Sequence, residues 1–141
     1  APYHNSPLYP SKNMESISAH DAVNNHIAAG VPPEKLVLGL AFYGRGVKGF
    51  PRQRDLTRGH LVEGEYTFCW DSDAQVPYIA DKEGNLVFGY ENETSLALKG
   101  EYILSRGLKG AMYWSYDGDN ADGDLRECVF KVLNRPSKRE N

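Results

Sequence analysis

The chain is expected to fold as an α/β layer interrupted by a small α+β insertion. Two apolar runs and the distance between them point that way. Leu36 to Arg45 and Gly110 to Tyr116 are apolar at successive rather than alternate positions and end in aromatic and polar groups. That pattern marks strands buried on both faces, which are usually parallel and covered by helices. Residues 46–109 lie between them, far beyond the roughly 12 to 15 residues at which structureless loops become uncommon, so they must hold structure of their own. In parallel sheets ligands collect at the carboxyl ends of the strands. Tyr43, Arg45, Trp114 and Tyr116 therefore stand where a ligand would be met, although aromatics in such places also serve simply to cap a core.

The elements follow in order. The segment up to Asn13 holds Pro2, Pro7 and Pro10 and reads as an extended loop. Ser18 then caps a helix with Asp21 three residues on. Val23 and Ile27 lie one turn apart on its inner face, and Gly30 ends it before Pro32-Pro33. Helix, brief loop and buried strand is the repeating phrase of an α/β barrel or a doubly wound sheet. Within the insertion, Tyr66 to Trp70, Val76 to Ala80 and Leu86 to Tyr90 read as short strands of an antiparallel sheet, the last two joined by the turn Asp81-Lys82-Glu83-Gly84-Asn85. Thr94 or Ser95 caps a helix carrying Leu96, Leu98, Ile103 and Leu104 and stopped by Gly107. The second buried strand follows at once. Asp124 and Glu127 are read as a capping box for a last helix containing Leu125, Val129, Phe130 and Leu133, ended by Asn134 and Pro136, and the tail beyond is expected to fray.

Composition narrows the possible partners. A chain of 141 residues with 40% hydrophobic and 25% charged residues is long enough for a real core and too apolar for disorder. Net charge is −3, and no basic block precedes the short Lys138-Arg139 pair, so the electrostatic footprint of a nucleic-acid binder is missing. No apolar stretch approaches a membrane span, and no charged-then-apolar leader opens the chain; an export signal would have been removed or would lie upstream. The abrupt start at Ala1-Pro2-Tyr3 suggests a segment of something longer. Nine Tyr, five Phe and two Trp tilt the composition toward carbohydrate, because flat amphipathic rings stack on the apolar faces of sugars. Cys69 and Cys128 could pair, since spacing does not place them; two free, buried thiols is the preferred reading.

Several familiar chemistries are not spelled here. The acidic run from Asp117 to Asp124 fails the register of a calcium loop: with Asp117 first, Ala121 falls on a ligand position and no glycine stands sixth. The run reads instead as a solvated loop with helix-capping aspartates. His4, His20, His26 and His60 include no pair at the four-residue spacing that aims two imidazoles at one metal. Tyr43-Gly44-Arg45-Gly46-Val47-Lys48-Gly49 lacks the glycine spacing of a phosphate loop or dinucleotide fingerprint, and no nucleophile elbow occurs. No metal or cofactor is expected. Arg45, at a strand end, could offer its fork of donors to a substrate oxygen or to a structural carboxylate.

Four patches, taken together and in order, are more specific than any one of them. His4-Asn5-Ser6-Pro7-Leu8-Tyr9, Gly39-Leu40-Ala41-Phe42-Tyr43-Gly44-Arg45, Val76-Pro77-Tyr78 and Gly110-Ala111-Met112-Tyr113-Trp114 resemble the last third of a glycoside hydrolase family 18 chitinase. The resemblance covers nearly the whole chain. It implies a partial (β/α)8 TIM barrel, with the two buried strands as its seventh and eighth. Residues 1–45 would be barrel, 46–109 a chitinase insertion domain, and 110–141 the eighth strand and final helix. Tyr43 and Arg45 would line a chitin cleft, Trp114 would form its hydrophobic floor, and Asn5 and Tyr9 would lie nearby. Trp70, Asp71 and Tyr78 match a stretch of the family too, with packing the preferred role.

The same resemblance limits what the chain does alone. Family 18 enzymes carry an acidic motif, Asp-x-x-Asp-x-Asp-x-Glu, whose glutamate is the general acid, and nothing like it is read between Ala1 and Asn141. They retain configuration through the substrate's own N-acetyl group, assisted by a tyrosine of the sixth strand that is also outside this chain. No catalytic residue is therefore assigned, and the expectation is a substrate-binding part of a secreted or periplasmic chitin hydrolase acting on chitin or chito-oligosaccharide. The rivals are a chitinase-like lectin that binds without cutting and a purely structural module. Two barrel strands without neighbours would expose apolar faces, which self-association or the insertion would have to offset.

Overall fold

The computed structural model describes residues 3–12, 14–50 and 64–135. Ala1-Pro2, Asn13, His60, Pro136 and the Lys138-Arg139 pair fall outside them. Among the described residues the strands form two sheets. β1 (Val37–Ala41) and β6 (Gly110–Trp114) run parallel, from Val37 opposite Gly110 to Ala41 opposite Trp114. The other sheet is antiparallel, in the order β2 (Arg45–Gly46), β5 (Leu86–Gly89), β4 (Val76–Ala80), β3 (Thr67–Asp71). Parallel neighbours require a long crossover, and here the crossover contains the antiparallel sheet and a helix.

Among the described residues there are three α-helices: α1 (Ala19–Ala28), α2 (Glu93–Ser105) and α3 (Asp124–Leu133). Leu40, Phe42, Leu96 and Val129 form one buried cluster; Leu8, Val23, Tyr102, Ile103 and Leu108 form a second, and Leu38 packs against both. The helices thus cover one face of the parallel strands. α2 approaches α3 closely at Gly100, where a β-carbon would come within 2.6 Å of Val132 Cγ1. Ile79, Val87 and Phe88 make a separate core on the antiparallel sheet, with Phe50, Tyr66 and Tyr90 against it.

The expected double-sided burial of the two parallel strands is not met within this chain. Val37, Met112 and Trp114 stand at alternate positions along their strands and are half exposed or more. In register, Val37 faces Gly110, Gly39 faces Met112 and Ala41 faces Trp114, so one side of the parallel pair is open.

Local signals fared unevenly. Ser18 and Asp21 close a reciprocal capping box on α1, and Gly30 follows it with φ of +99°. α2 is capped by Asn92, not by Thr94 or Ser95; Ser95 takes the third helical position and returns its hydroxyl to the Asn92 amide. α3 has no Asp124–Glu127 box. Its cap is Gly123 in the left-handed region, and the free amides of Leu125 and Arg126 donate to the carboxylate of Asp119, reaching across the loop. Leu104 and Phe130 are exposed on their helices. Each adjoins a buried residue, Ile103 or Val129, and the 100° helical step carries it off that face.

The antiparallel sheet lies close to expectation, with β3 one residue later than Tyr66 to Trp70 and β5 ending at Gly89. Its hairpin is held by Asp81, whose carboxylate accepts from the amides of Glu83 and Asn85, while Gly84 takes a φ of +84°. Cys69 and Cys128 are free thiols, as expected, but partly rather than fully buried.

Candidate functional site

The parallel strands deliver their ends to one place. The Phe42 amide donates to the Trp114 carbonyl at 2.7 Å, extending the pairing one residue past Ala41. Phe42 is fully buried and stacks on Tyr113 at 4.4 Å between ring centroids. That anchor leaves Tyr43 37% exposed just past the end of β1, while Trp114 at the end of β6 is 69% exposed. An open indole at a strand's carboxyl end offers a flat apolar surface and an N–H donor.

Gly44 lets the chain leave the strand without a clash. A β-carbon there would sit 2.2 Å from Phe88 Cζ and 2.8 Å from the Gly89 carbonyl oxygen. The chain thereby passes straight into β2, where Arg45 pairs with Gly89. Arg45 is thus the first residue of the antiparallel sheet, and its guanidinium lies 5.9 Å from the centroid of the Tyr43 ring. Asn5 joins from the opening loop: its side-chain amide donates to the Tyr43 carbonyl at 3.2 Å. Tyr9 points elsewhere, packing with His20 at 5.2 Å and Tyr102 at 6.0 Å in the core beneath α1 and α2. The structure therefore gathers Asn5, Tyr43 and Arg45 beside the end of β1, with Trp114 at the matching end of β6, and leaves Tyr9 out.

Tyr116, two residues past Trp114, lies under the Arg126 guanidinium at 4.1 Å. Arg126 is held in turn by Asp119, Nε to Oδ2 at 3.7 Å. The acidic run is thus committed to loop and cap geometry. Among the described residues no group of three or more His, Cys, Asp or Glu side chains converges as a metal site would require.

Two buried polar clusters support the site, and sequence reading missed both. His4 is buried, and its Nε2 donates to Asp71 Oδ2 at 2.8 Å, with the Ser11 hydroxyl donating to the same oxygen at 2.7 Å. Burial pushes the Asp71 carboxyl up, but donors from Ala74, Ser11 and His4 outweigh it and bring its pKa from 3.8 down to about 2. An ionised Asp71 fixes the His4 tautomer, with the proton on Nε2. The second cluster pairs Lys99 with Glu91, both buried. Burial pushes the Glu91 carboxyl up against the opposing pull of Lys99 and of the Ser95 and Ser6 hydroxyls. Glu91 precedes the Asn92 cap, and Ser95 and Lys99 stand one turn apart on α2, where a polar spacing ordinarily marks a solvated face.

A parallel pair with aromatic and polar groups at its carboxyl ends thus leads directly into an antiparallel sheet. Residues 2–119 match the model of Glycosyl hydrolases family 18, and the chain belongs to that family. It is 31% identical over 150 residues to Chitinase A1 of Niallia circulans, a match covering 82% of this chain and 21% of that protein. The chitinase ChiW of Paenibacillus sp. str. FPU-7, a cell-surface-expressed multi-modular enzyme, superposes on 99% of the chain and 18% of its own length, with a TM-score of 0.84 and 29% identity. Human YKL-39, described as a pseudo-chitinase with retained chitooligosaccharide binding, shares the fold with a TM-score of 0.74 at 23% identity, over 93% of this chain and 45% of that one. Such matches cover 21% to 37% of the curated relatives' lengths.

Proposed function

We propose that these residues form the carboxyl-terminal part of a chitin-hydrolysing barrel, with β1 and β6 as its seventh and eighth strands. The observation that carries this reading is the exposed Trp114 indole at the end of β6, beside Tyr43 and Asn5 at the end of β1. The indole stacks on the C–H face of an N-acetylglucosamine ring at the point of cleavage. Tyr43, Arg45 and Asn5 hold the ring's hydroxyl and acetamido groups from one wall. The open side bearing Val37 and Met112 faces the remaining strands, since a whole barrel needs about 250 residues.

Residues 46–109 form the insertion domain, whose α2 packs on the parallel strands and α3. Hydrolysis proceeds with retention through the substrate's acetamido group, as in the recognised exceptions to two-carboxylate catalysis. The proton comes from a glutamate outside residues 1–141. Asp119, Asp122 and Asp124 repeat the spacing of the three aspartates in the family's acidic motif, but Arg126 takes the glutamate's place and Asp119 caps α3. The protein acts outside the cytoplasm, where chitin is found.

A second reading, a lectin that binds chito-oligosaccharide without cutting it, is favoured by the site's composition: every group gathered here binds and none transfers a proton. The test is to incubate the full-length protein containing this chain with chitotetraose and follow products by proton NMR. Cleavage with the β-anomer appearing first supports the hydrolase, saturable binding without cleavage supports the lectin, and no binding overturns both.

A further inference from the structure

We propose that Lys99 is a positioning residue for this groove: buried against Glu91, its ammonium clamps Ser6 and so fixes the adjoining Asn5 against the end of β1. The proposal rests on the sugar-binding reading of Asn5, Tyr43 and Trp114.

Lysine is almost never fully buried unless paired, and a buried ion pair is commonly no more stabilising than apolar residues of like volume. Lys99 is fully buried all the same. What distinguishes it from an apolar replacement is the direction of its three donors. One meets Glu91 Oε1, one the Ser6 carbonyl oxygen at 2.5 Å, and one the Ser6 hydroxyl at 3.0 Å. Glu91 is steadied in turn by the Ser95 hydroxyl, which donates to Oε2 at 2.5 Å. Two of the three donors thus act on a single residue of a loop 93 positions away.

That loop has no helix or strand of its own to order it. Its three consecutive residues are each tied to a different element: His4 to Asp71 at the end of β3, Asn5 to the Tyr43 carbonyl just past β1, Ser6 to Lys99 on α2. β5 presses on the same residues from another side. A β-carbon on Gly89 would come within 2.9 Å of the Asn5 amide nitrogen and 3.3 Å of His4 Cα. The tripeptide is therefore where the antiparallel sheet, the parallel strands and α2 are moored together. Asn5, its middle residue, is the one that reaches Tyr43 past the end of β1. Releasing Ser6 frees Asn5 to leave Tyr43, and the wall of the groove loses its register with Trp114.

The experiment uses the full-length protein. Glu91→Gln with Lys99→Met removes both charges together, so that neither is stranded, and a cooperative thermal melt reports whether the fold survives. Two quantities are then read: affinity for chitotetraose, and the exchange rate of the Asn5 side-chain amide by NMR. The folded double variant is expected to bind about tenfold more weakly and to lose Asn5 protection. Wild-type affinity together with wild-type Asn5 protection overturns the proposal, because a merely structural pair would lower the melting temperature and leave both alone. If the double variant does not fold, Ser6→Ala removes one acceptor and leaves the ion pair; about threefold weaker binding is then expected, and unchanged affinity overturns the proposal. If the wild-type protein binds no chito-oligosaccharide, the sugar-binding reading fails separately, and Asn5 exchange alone decides the role of Lys99.

Discussion

Gly118 lies against Phe42 so closely that a β-carbon on it would come to 1.6 Å from the Phe42 carbonyl oxygen. That contact joins the turn after β6 to the last buried residue of β1, immediately before Tyr43. The neighbour is backbone, which cannot swing aside like a flexible side chain. Gly118→Ala is therefore expected to cost at least about 2 kcal/mol and to weaken sugar binding as well. Urea unfolding measures the first effect and an oligosaccharide titration the second; a variant as stable as wild type would contradict the packing described.

Asp71 gives a pH signature. Its folded-state pKa, about 2, lies below the ordinary 3.8. The ionised form is thus favoured by folding, and the stabilisation is complete above about pH 4 and disappears as pH falls through about 2. Asp71→Asn should be less stable than wild type by about 2 kcal/mol at pH 6, with the gap closing between about pH 4 and pH 2. Urea midpoints for both proteins across that range check it. A gap that persists unchanged at pH 2 would mean that charge is not the cause.

Ser18 holds α1 through a reciprocal box, its hydroxyl oxygen accepting from the Asp21 amide at 3.1 Å while the Asp21 carboxylate accepts from the Ser18 amide at 3.2 Å. Ser18→Ala should lower stability by about 1 kcal/mol, a change readable in the melting temperature. Oligosaccharide affinity should not change, because α1 packs on the side away from Trp114.

The open side of the parallel strands has a consequence for residues 1–141 prepared alone. Val37 and Met112, both about half exposed, together with Trp114 form an apolar strip that water covers poorly. The isolated chain is expected to self-associate with rising concentration in light scattering, and Val37→Lys with Met112→Lys should reduce that tendency. A stable monomer that binds no hydrophobic dye would show that the strip is adequately covered.

How much of this was legible beforehand depends on how far apart the interacting residues lie. The strands Val37–Ala41 and Gly110–Trp114 announce themselves because apolarity is a local property of the run, as is the pairing of Ser18 with Asp21 three residues on. The Asp81 hairpin is local too. Asn92 was overlooked in favour of Thr94 and Ser95 because all three are cap residues, and only the backbone decides which of them is extended. Asp119 caps α3 from across a loop, and His4 finds Asp71 67 positions away. No spacing rule reaches that far. Of the site, Trp114, Tyr43, Arg45 and Asn5 could be named from patches of sequence, whereas Lys99 and Glu91 look on paper like an ordinary solvated helix face. Their burial follows only from the packing of α2 against the opening loop.

The reading as a whole turns on whether one exposed ring carries the grip on the ligand. Trp114 is mostly in water, so Trp114→Ala should leave the thermal melt of the full-length protein nearly unchanged. The decisive measurement is calorimetric titration of chitotetraose into wild type and Trp114→Ala. The account predicts at least roughly tenfold weaker binding in the variant, the loss expected when about 60 Å² of apolar contact disappears. Equal affinity in the two folded proteins would contradict it.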